Sequence, residues 1–246
     1  MKLTVVGCSG SFPGPDSPAS SYLLEEQGYR AVLDLGNGAL GALQRYASLD
    51  AIDAVLVSHL HVDHVIDLCS YYVARRYRPA GELPRLRVIG PAGTREQLAR
   101  AYGTNASGLD DVFSFEVLSA VHEVGPFRMT VAPVVHPVEA YALRLEASGR
   151  SLTYSGDTGP CRALGDLAAG SDLLLAEASF LDEVPHPEDL HLTGREAGEA
   201  AAAASVGTLV VTHVPPWYSR EHAVEEASAA FSGPVVMAVP GLVLTL

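Results

Sequence analysis

The chain is poor in lysine, cysteine and tryptophan. Lys2 is the sole lysine among 16 basic residues, which face 29 acidic ones for a formal net charge of -13. Nonspecific nucleic-acid binding rests on Lys and Arg neutralising phosphates, so this balance disfavours long nucleic acids as partners. Cys8, Cys69 and Cys161 are odd in number and widely spaced. They frame neither a disulfide scaffold nor a Cys-pair zinc motif, and a reducing, cytoplasmic setting is expected. No apolar run reaches about 18 residues, so no membrane span is expected. The opening "MKLTVVGCSG" has one Lys and a short β-like run, too short for the apolar region of a signal peptide.

What is present is a chain of 246 residues, 48% hydrophobic, with ample material for a core. "KLTVVG", "SYLLEE" and "YRAVLDLG" read as strands, a helix follows over 38–47, and "DAVLVS" is a short apolar strand. Helices are expected over 65–77, stopped before Pro79, and at "GTREQLARAYG", closed by Gly103. Strands follow near 112–118, 127–135, 139–146 and 150–155. Beyond them helices (161–169, 194–205, 219–231) alternate with the strands "DLLLAEA", "TLVVTH" and "PVVMAV". No repeat or low-complexity linker divides the chain, and one domain over 1–246, a layered α/β sandwich, is expected.

The densest chemistry lies in "VSHLHVDHVID", residues 57–67, with three histidines and two aspartates. His59 and His61 can point the same way on an extended loop, while Asp63 and His64 follow at the turn into a helix and can face a second point. His136 in "VAPVVHPV", Asp157 in "LTYSGDTG" and His213 in "LVVTHVPP" each follow a β-like run. Strands that each deliver one His or Asp at their ends assemble a site along one sheet edge. Imidazole and carboxylate suit Zn or Mn, and two close ions need a bridging carboxylate. His122, His186 and His222 have no motif around them. His122 is the rival to His136, but "SAVHEVG" reads as a loop whereas His136 ends a longer apolar strand.

The ordered set of His59, His61, Asp63 and His64, then His136, Asp157 and His213, resembles the metallo-β-lactamase superfamily. The resemblance spans nearly the whole chain and implies an αββα four-layer sandwich. It also implies two divalent metal ions, one on His59, His61 and His136 and the second on Asp63, His64 and His213, with Asp157 bridging.

"EDLHLTGREAGEAAAAASVGTLVVTHVPP" is similar to the ribonuclease Z-like phosphodiesterase branch. That likeness makes His191 the accessory histidine that protonates the leaving oxygen, with Asp63 accepting a proton from the nucleophile. Glu177 in "LLLAEASF" is implied as the partner orienting a histidine, and a structural Glu at a strand end is the competing reading. Thr193 or Gly194 suits a helix N-cap, with Glu196 three positions after Thr193 in a capping box, and a helix N-terminus also binds phosphate. In tRNA-processing members a long Gly/Pro-rich arm separates the third-motif His from the bridging Asp. Here His136 and Asp157 are only 21 positions apart, a span read as two strands and a turn.

"GCSGSFPGPDSPASSYLL", "RRYRP" and "THVPPWYSRE" resemble the atypical cyclic-nucleotide phosphodiesterases of this branch. Ser9 and Ser11 lie in a Gly/Ser loop whose N–H groups can approach a phosphate. Arg76, with Arg75 and Arg78, either meets an anion or faces a helix dipole. Trp217 either stacks on a base or packs. The expected activity is metal-dependent hydrolysis of a small phosphodiester, a 3′,5′-cyclic nucleotide. The alternatives are ribonuclease Z-like RNA 3′-end processing and hydrolysis of a lactam or thioester. Flavodiiron-type chemistry would want a flavin domain, and a scaffold on a dead site would not keep every ligand position filled. The oligomeric state is open, with a homodimer as the association to test.

Overall fold

A computed structural model describes residues 1–246. Six strands open the chain: β1 (Lys2–Gly7), β2 (Ser21–Glu26), β3 (Tyr29–Leu33), β4 (Ala54–Leu56), β5 (Leu86–Gly90) and β6 (Phe113–Val117). Between them lie α1 (Ala39–Leu43), α2 (Val62–Val65), α3 (Asp67–Arg76) and α4 (Thr94–Tyr102). The second set is β7 (Val121–Val124), β8 (Phe127–Pro133), β9 (Tyr141–Ala147), β10 (Arg150–Tyr154), β11 (Leu173–Glu177), β12 (Thr208–Thr212) and β13 (Val235–Met237). Its helices are α5 (Arg162–Ala168), α6 (Gly194–Ala203) and α7 (Arg220–Ala230), and β14 (Val243–Thr245) follows.

Two seven-stranded sheets result, ordered β14-β1-β2-β3-β4-β5-β6 and β13-β12-β11-β10-β9-β8-β7. Each is antiparallel at one end and parallel at the other, the parallel pairs being β3–β4, β4–β5 and β5–β6 in the first sheet and β10–β11, β11–β12 and β12–β13 in the second. One apolar core joins the sheets face to face, through residues such as Leu24, Leu33, Phe127 and Leu145. A second packs α1, α3 and α4 on the first sheet, and a third packs the later helices on the second. The layers are therefore αββα, as expected. Strands covered on both faces read as continuous apolar runs, which is why "LLLAE" in β11 is buried at every position.

The helix foreseen over 65–77 is α3, with the short α2 set off before it where the Asp67 N–H donates to Leu35 O and the Leu35 N–H to His64 O. One local expectation is corrected. The stretch around His122 is not a loop but β7, an edge strand that hairpins onto β8 through Gly125 at φ 58°. Finally, β14 returns from the end of the chain to pair antiparallel with β1, Lys2 opposite Thr245. No helix is long and apolar enough to cross a membrane.

Candidate metal centre

The chemistry collects where strands of both sheets end. β4 leads into Ser58 and His59, β8 into His136, β10 into Asp157 and β12 into His213, the carboxyl-end location expected for sites on α/β sheets. Two cross-sheet bridges stitch the sheets together there, His59 with Ala140 and Ser9 with Val214. His213 itself takes a left-handed backbone, φ 54°, a conformation that histidine adopts more readily than bulkier residues and that recurs at functional sites. Gly10 packs on its carbonyl so closely that a Cβ would lie 2.3 Å from the oxygen. The turn carrying Asp63 is seated equally tightly on Gly36, where a Cβ would meet Asp63 O at 1.9 Å.

These elements bring together the ligand-type atoms of two quartets, His59, His61, His136 and Asp157, and Asp63, His64, Asp157 and His213. Within each, the atoms lie within 4.8 Å of one another, and Asp157 belongs to both. Its carboxylate is 3.6 Å from His59 Nε2, 3.2 Å from His64 Nε2 and 3.2 Å from His213 Nε2. Asp63 Oδ2 lies 3.5 Å from His64 Nε2 and 3.7 Å from His213 Nε2. His61 Nδ1 and His136 Nε2 are 3.1 Å apart, close enough to share a proton or a cation.

Behind the inward atoms, other groups hold the outward nitrogens. His64 Nδ1 donates to Asp34 at 2.7 Å and His136 Nδ1 to Leu190 O at 2.9 Å. His59 Nδ1 pairs with Ser58 Oγ at 3.1 Å and His213 Nδ1 with Ser20 Oγ at 2.7 Å. Acceptors at Nδ1 fix the tautomer that leaves an Nε2 lone pair facing in. The result is a set of buried polar atoms with no hydrogen-bond partner: His59 Nε2, His64 Nε2, His213 Nε2 and Asp157 Oδ1. Orphaned buried polar groups are costly unless something meets them, and these converge on one space. That is the fit expected of a cation site.

Charge follows the same geometry. Burial pushes His59 well below its ordinary pKa, with His64 adding to the effect, and burial likewise lowers His61 and His136. Burial alone would lower His64 too, but Asp157, Asp34 and Asp63 reverse the sign and raise it well above its usual value. Burial opposes ionisation of Asp157, yet His213, His64 and His59 hold its carboxyl well below the usual range.

A third cluster joins Asp157 to Glu177 and His191. His191 Nδ1 donates to Glu177 Oε1 at 3.0 Å and lies 3.9 Å from Asp157 Oδ2. Glu177 is fully buried at the end of β11 and also accepts from the Thr158 N–H at 2.6 Å, so it ties the Asp157 loop to His191. Burial lowers the basicity of the His191 ring, but Glu177 outweighs it and the pKa is pushed up to about 9.

The model of the Beta-lactamase superfamily domain matches residues 29–214. The Mycobacterium tuberculosis protein Rv1339 is 46% identical over 242 residues, 96% of this chain and 88% of its own length. The probable metallo-hydrolase YhfI of Bacillus subtilis is 30% identical over 99% of both chains. The chain belongs to the metallo-β-lactamase superfamily. Like other metallo-β-lactamase-fold chains it superimposes on the YhfI crystal structure, with a TM-score of 0.90 over 99% of both chains at 29% identity. The superfamily's ribonuclease Z is also among its relatives, the Mycobacterium bovis enzyme being 31% identical over 88% of this chain and 86% of its own. The protein is thus a metallo-hydrolase of this superfamily, with His/Asp clusters able to hold metal ions.

The other residues foreseen from sequence are scattered around this metallo-β-lactamase core. Thr193 caps α6 in a full capping box with Glu196, so its hydroxyl is already used. The Gly/Ser loop offers little to a phosphate. Ser9 Oγ accepts from the Gly14 N–H and from Arg220, and the N–H groups of Cys8, Ser9, Gly10 and Phe12 all donate within the protein. Ser11 is exposed at φ 60°. The arginine cluster is corrected: Arg75 donates to Pro84 O, Arg76 lies 3.7 Å from Asp111 and Arg78 pairs with Asp50 at 2.6 Å. Arg75 and Arg76 line a separate cleft with Glu82, Arg85, Asp110 and Asp111, which shares no residue with the metal quartets. Trp217, 61% exposed, packs on Phe12 with ring centroids 4.7 Å apart. His122 accepts from the Ser119 N–H on its edge strand, clear of the quartets.

Sequence reasoning missed Asp34. Buried at the end of β3 with φ 53°, it accepts from the Ser58 N–H and hydroxyl, His64 Nδ1 and the Tyr154 hydroxyl, all at 2.7–2.8 Å. Its signal was available, since "AVLD" is an apolar strand delivering one carboxylate, the same pattern that exposed Asp157.

Proposed function

We propose that the chain is a dinuclear-metal phosphodiesterase acting on a small phosphodiester, with a 3′,5′-cyclic nucleotide as its substrate. The observation that carries the reading is the Glu177–His191 pair beside Asp157. A ribose alkoxide is a poor leaving group and needs a proton as it departs, which a positioned histidine supplies. Thioester hydrolysis, whose thiolate departs without a proton, leaves this pair without a task.

His59, His61 and His136 would hold one Zn or Mn ion, Asp63, His64 and His213 the other, and Asp157 both; the imidazole and carboxylate donors suit those metals. Such ions supply polarisation of the phosphoryl oxygens and a water acidic enough to attack near neutral pH. Asp63, between His61 and His64 in the chain, would orient an attacking water and accept its proton. His191, with Nδ1 committed to Glu177, has Nε2 for the departing oxygen. Glu177 raises the basicity of the ring and fixes its orientation through the Nδ1 hydrogen bond.

Substrate size follows from the surface. The 20 residues between His136 and Asp157 are taken up by β9, β10 and a turn at Ser148 and Gly149, so no extended arm rises there. A net charge of -13 opposes a long polyanion. The second reading, RNA 3′-end processing, draws its support from the 31% identity to ribonuclease Z. We also take residues 1–246 as one hydrolase domain, held by the β14–β1 pairing, and place it in a reducing cytoplasm on the strength of three free cysteines.

The test is a metal-loaded preparation assayed side by side on cyclic AMP, pre-tRNA, a β-lactam and a thioester. The largest specificity constant should belong to the cyclic nucleotide. A larger value for pre-tRNA would make this a compact RNA-processing nuclease, and activity confined to the lactam or thioester would make it a carbonyl hydrolase.

A further inference from the structure

Two cavities lie beside the His/Asp clusters, and they differ in character. One, of 180 Å³, touches His191 and is walled by Pro160, His186, Glu188 and Asp189 among others. The other, of 480 Å³, shares His61 and Asp63 with the quartets and is walled by Leu60, Val62, Pro91 and Val138, with Gln97 and Glu139 as its polar members. Its size falls within the range of small-molecule sites. Val62 is 56% exposed and Val138 38% exposed, so the chain leaves apolar surface uncovered at the edge of its own reaction centre.

That wall has a chemistry. Gln97 is held by its amide N–H on Leu60 O. Glu139 Oε1 accepts from the Tyr141 hydroxyl at 2.5 Å, which fixes the carboxylate and leaves the other oxygen for an incoming N–H. The hydrogen bond to Glu139, with burial, pushes the Tyr141 hydroxyl up to about 12, so it stays a donor. Two carboxylates, Asp63 and Glu139, line the cavity with no cationic side chain among its walls, which repels a second phosphate. A flat or compact occupant that is largely apolar, not anionic, and furnished with an N–H donor fits these walls.

We propose that this cavity is the nucleobase subsite, favouring a purine whose amino group donates to Glu139. The proposal rests on the phosphodiesterase reading above and gives that substrate its orientation, with the phosphate at the quartets and the base between Val62 and Val138. Trp217 has no part in the cavity wall and is not the base platform.

The experiment compares wild type with Val138→Asp, Val138→Trp, Glu139→Ala and Trp217→Ala, all at exposed positions. The substrates are cyclic AMP, the cyclic phosphate of purine riboside (which lacks the amino group) and ribose 3′,5′-cyclic phosphate with no base. Charging or filling the cavity should raise KM for cyclic AMP at least about tenfold and leave kcat/KM on the base-free substrate within about twofold. Glu139→Ala should abolish the preference for adenine over unsubstituted purine. Equal losses on base-bearing and base-free substrates, or a KM rise in Trp217→Ala alone, would overturn the proposal while leaving the phosphodiesterase reading intact. If wild type cleaves no phosphodiester, that reading fails by itself, and equilibrium dialysis with adenosine decides the cavity. Binding that Val138→Asp removes supports it, and no binding to wild type overturns it.

Discussion

The two quartets that share Asp157 are built differently. The first sets three imidazoles around one carboxylate; the second sets two imidazoles among two carboxylates, with a third, Asp34, behind His64. Burial drives the first set's histidines down, so they meet a cation with no proton to lose. In the second set the carboxylates outweigh burial at His64. An imidazole-rich set suits Zn, and a carboxylate-rich set also accepts harder ions such as Mn. One carboxylate therefore couples two unlike sites, and the coupling is what the substitutions below are meant to break.

Asp157→Ala should have the largest effect. With the shared carboxylate gone, elemental analysis should find at least one ion lost, and turnover should fall at least about 10³-fold, the equivalent of several kcal/mol of charge stabilisation. Full metal content with full activity would show that the quartets do not depend on their common member.

His191→Ala should spare both quartets. Metal content should stay at the wild-type value while turnover on an alkoxide leaving group falls about 10²–10⁴-fold. The loss should shrink sharply for a nitrophenolate ester, whose leaving group needs no proton. The same loss on both esters would move His191 from proton donation to binding or folding.

Asp34→Asn should separate the quartets. Removing the carboxylate behind His64 should weaken the second quartet's ion about 10–100-fold and the first ion's, reached only through Ser58 Oγ and His59, by less, as a stepwise metal titration would read. Parallel weakening of both would contradict the division drawn here. The smallest effect belongs to Arg76→Ala. Its contact with Asp111 is an exposed ion pair in a separate cleft, worth about 0–1 kcal/mol, so kcat/KM should change by less than about twofold.

The contrast between the quartets also explains what could be read from sequence. His59, His61, Asp63 and His64 come from one turn, so local spacing displays them together. His136, Asp157 and His213 each come from a separate strand end, and only their order along the chain, matched to a superfamily pattern, joined them. The layered fold was legible because strands buried on both faces leave continuous apolar runs and Thr193 opens α6 with a capping box. β7 and β14 were not: β7 is a four-residue edge strand, and β14 is a three-residue strand whose partner β1 lies at the other end of the chain. Arg76 misled because its motif says nothing about which face α3 presents, and Asp111 lies far off in sequence. Asp34 escaped notice because its role is indirect, acting through the His64 ring and through Ser58 behind His59.

The most direct test of the shared-carboxylate account is electron paramagnetic resonance of the protein titrated with Mn(II). Two ions joined by Asp157 should sit about 3.5–4 Å apart. At saturation the account predicts two manganese ions per chain and an exchange-coupled spectrum, with cyclic AMP hydrolysis reaching its maximum as that spectrum does. Saturation at one ion, or two ions giving only the spectrum of isolated manganese, would contradict it.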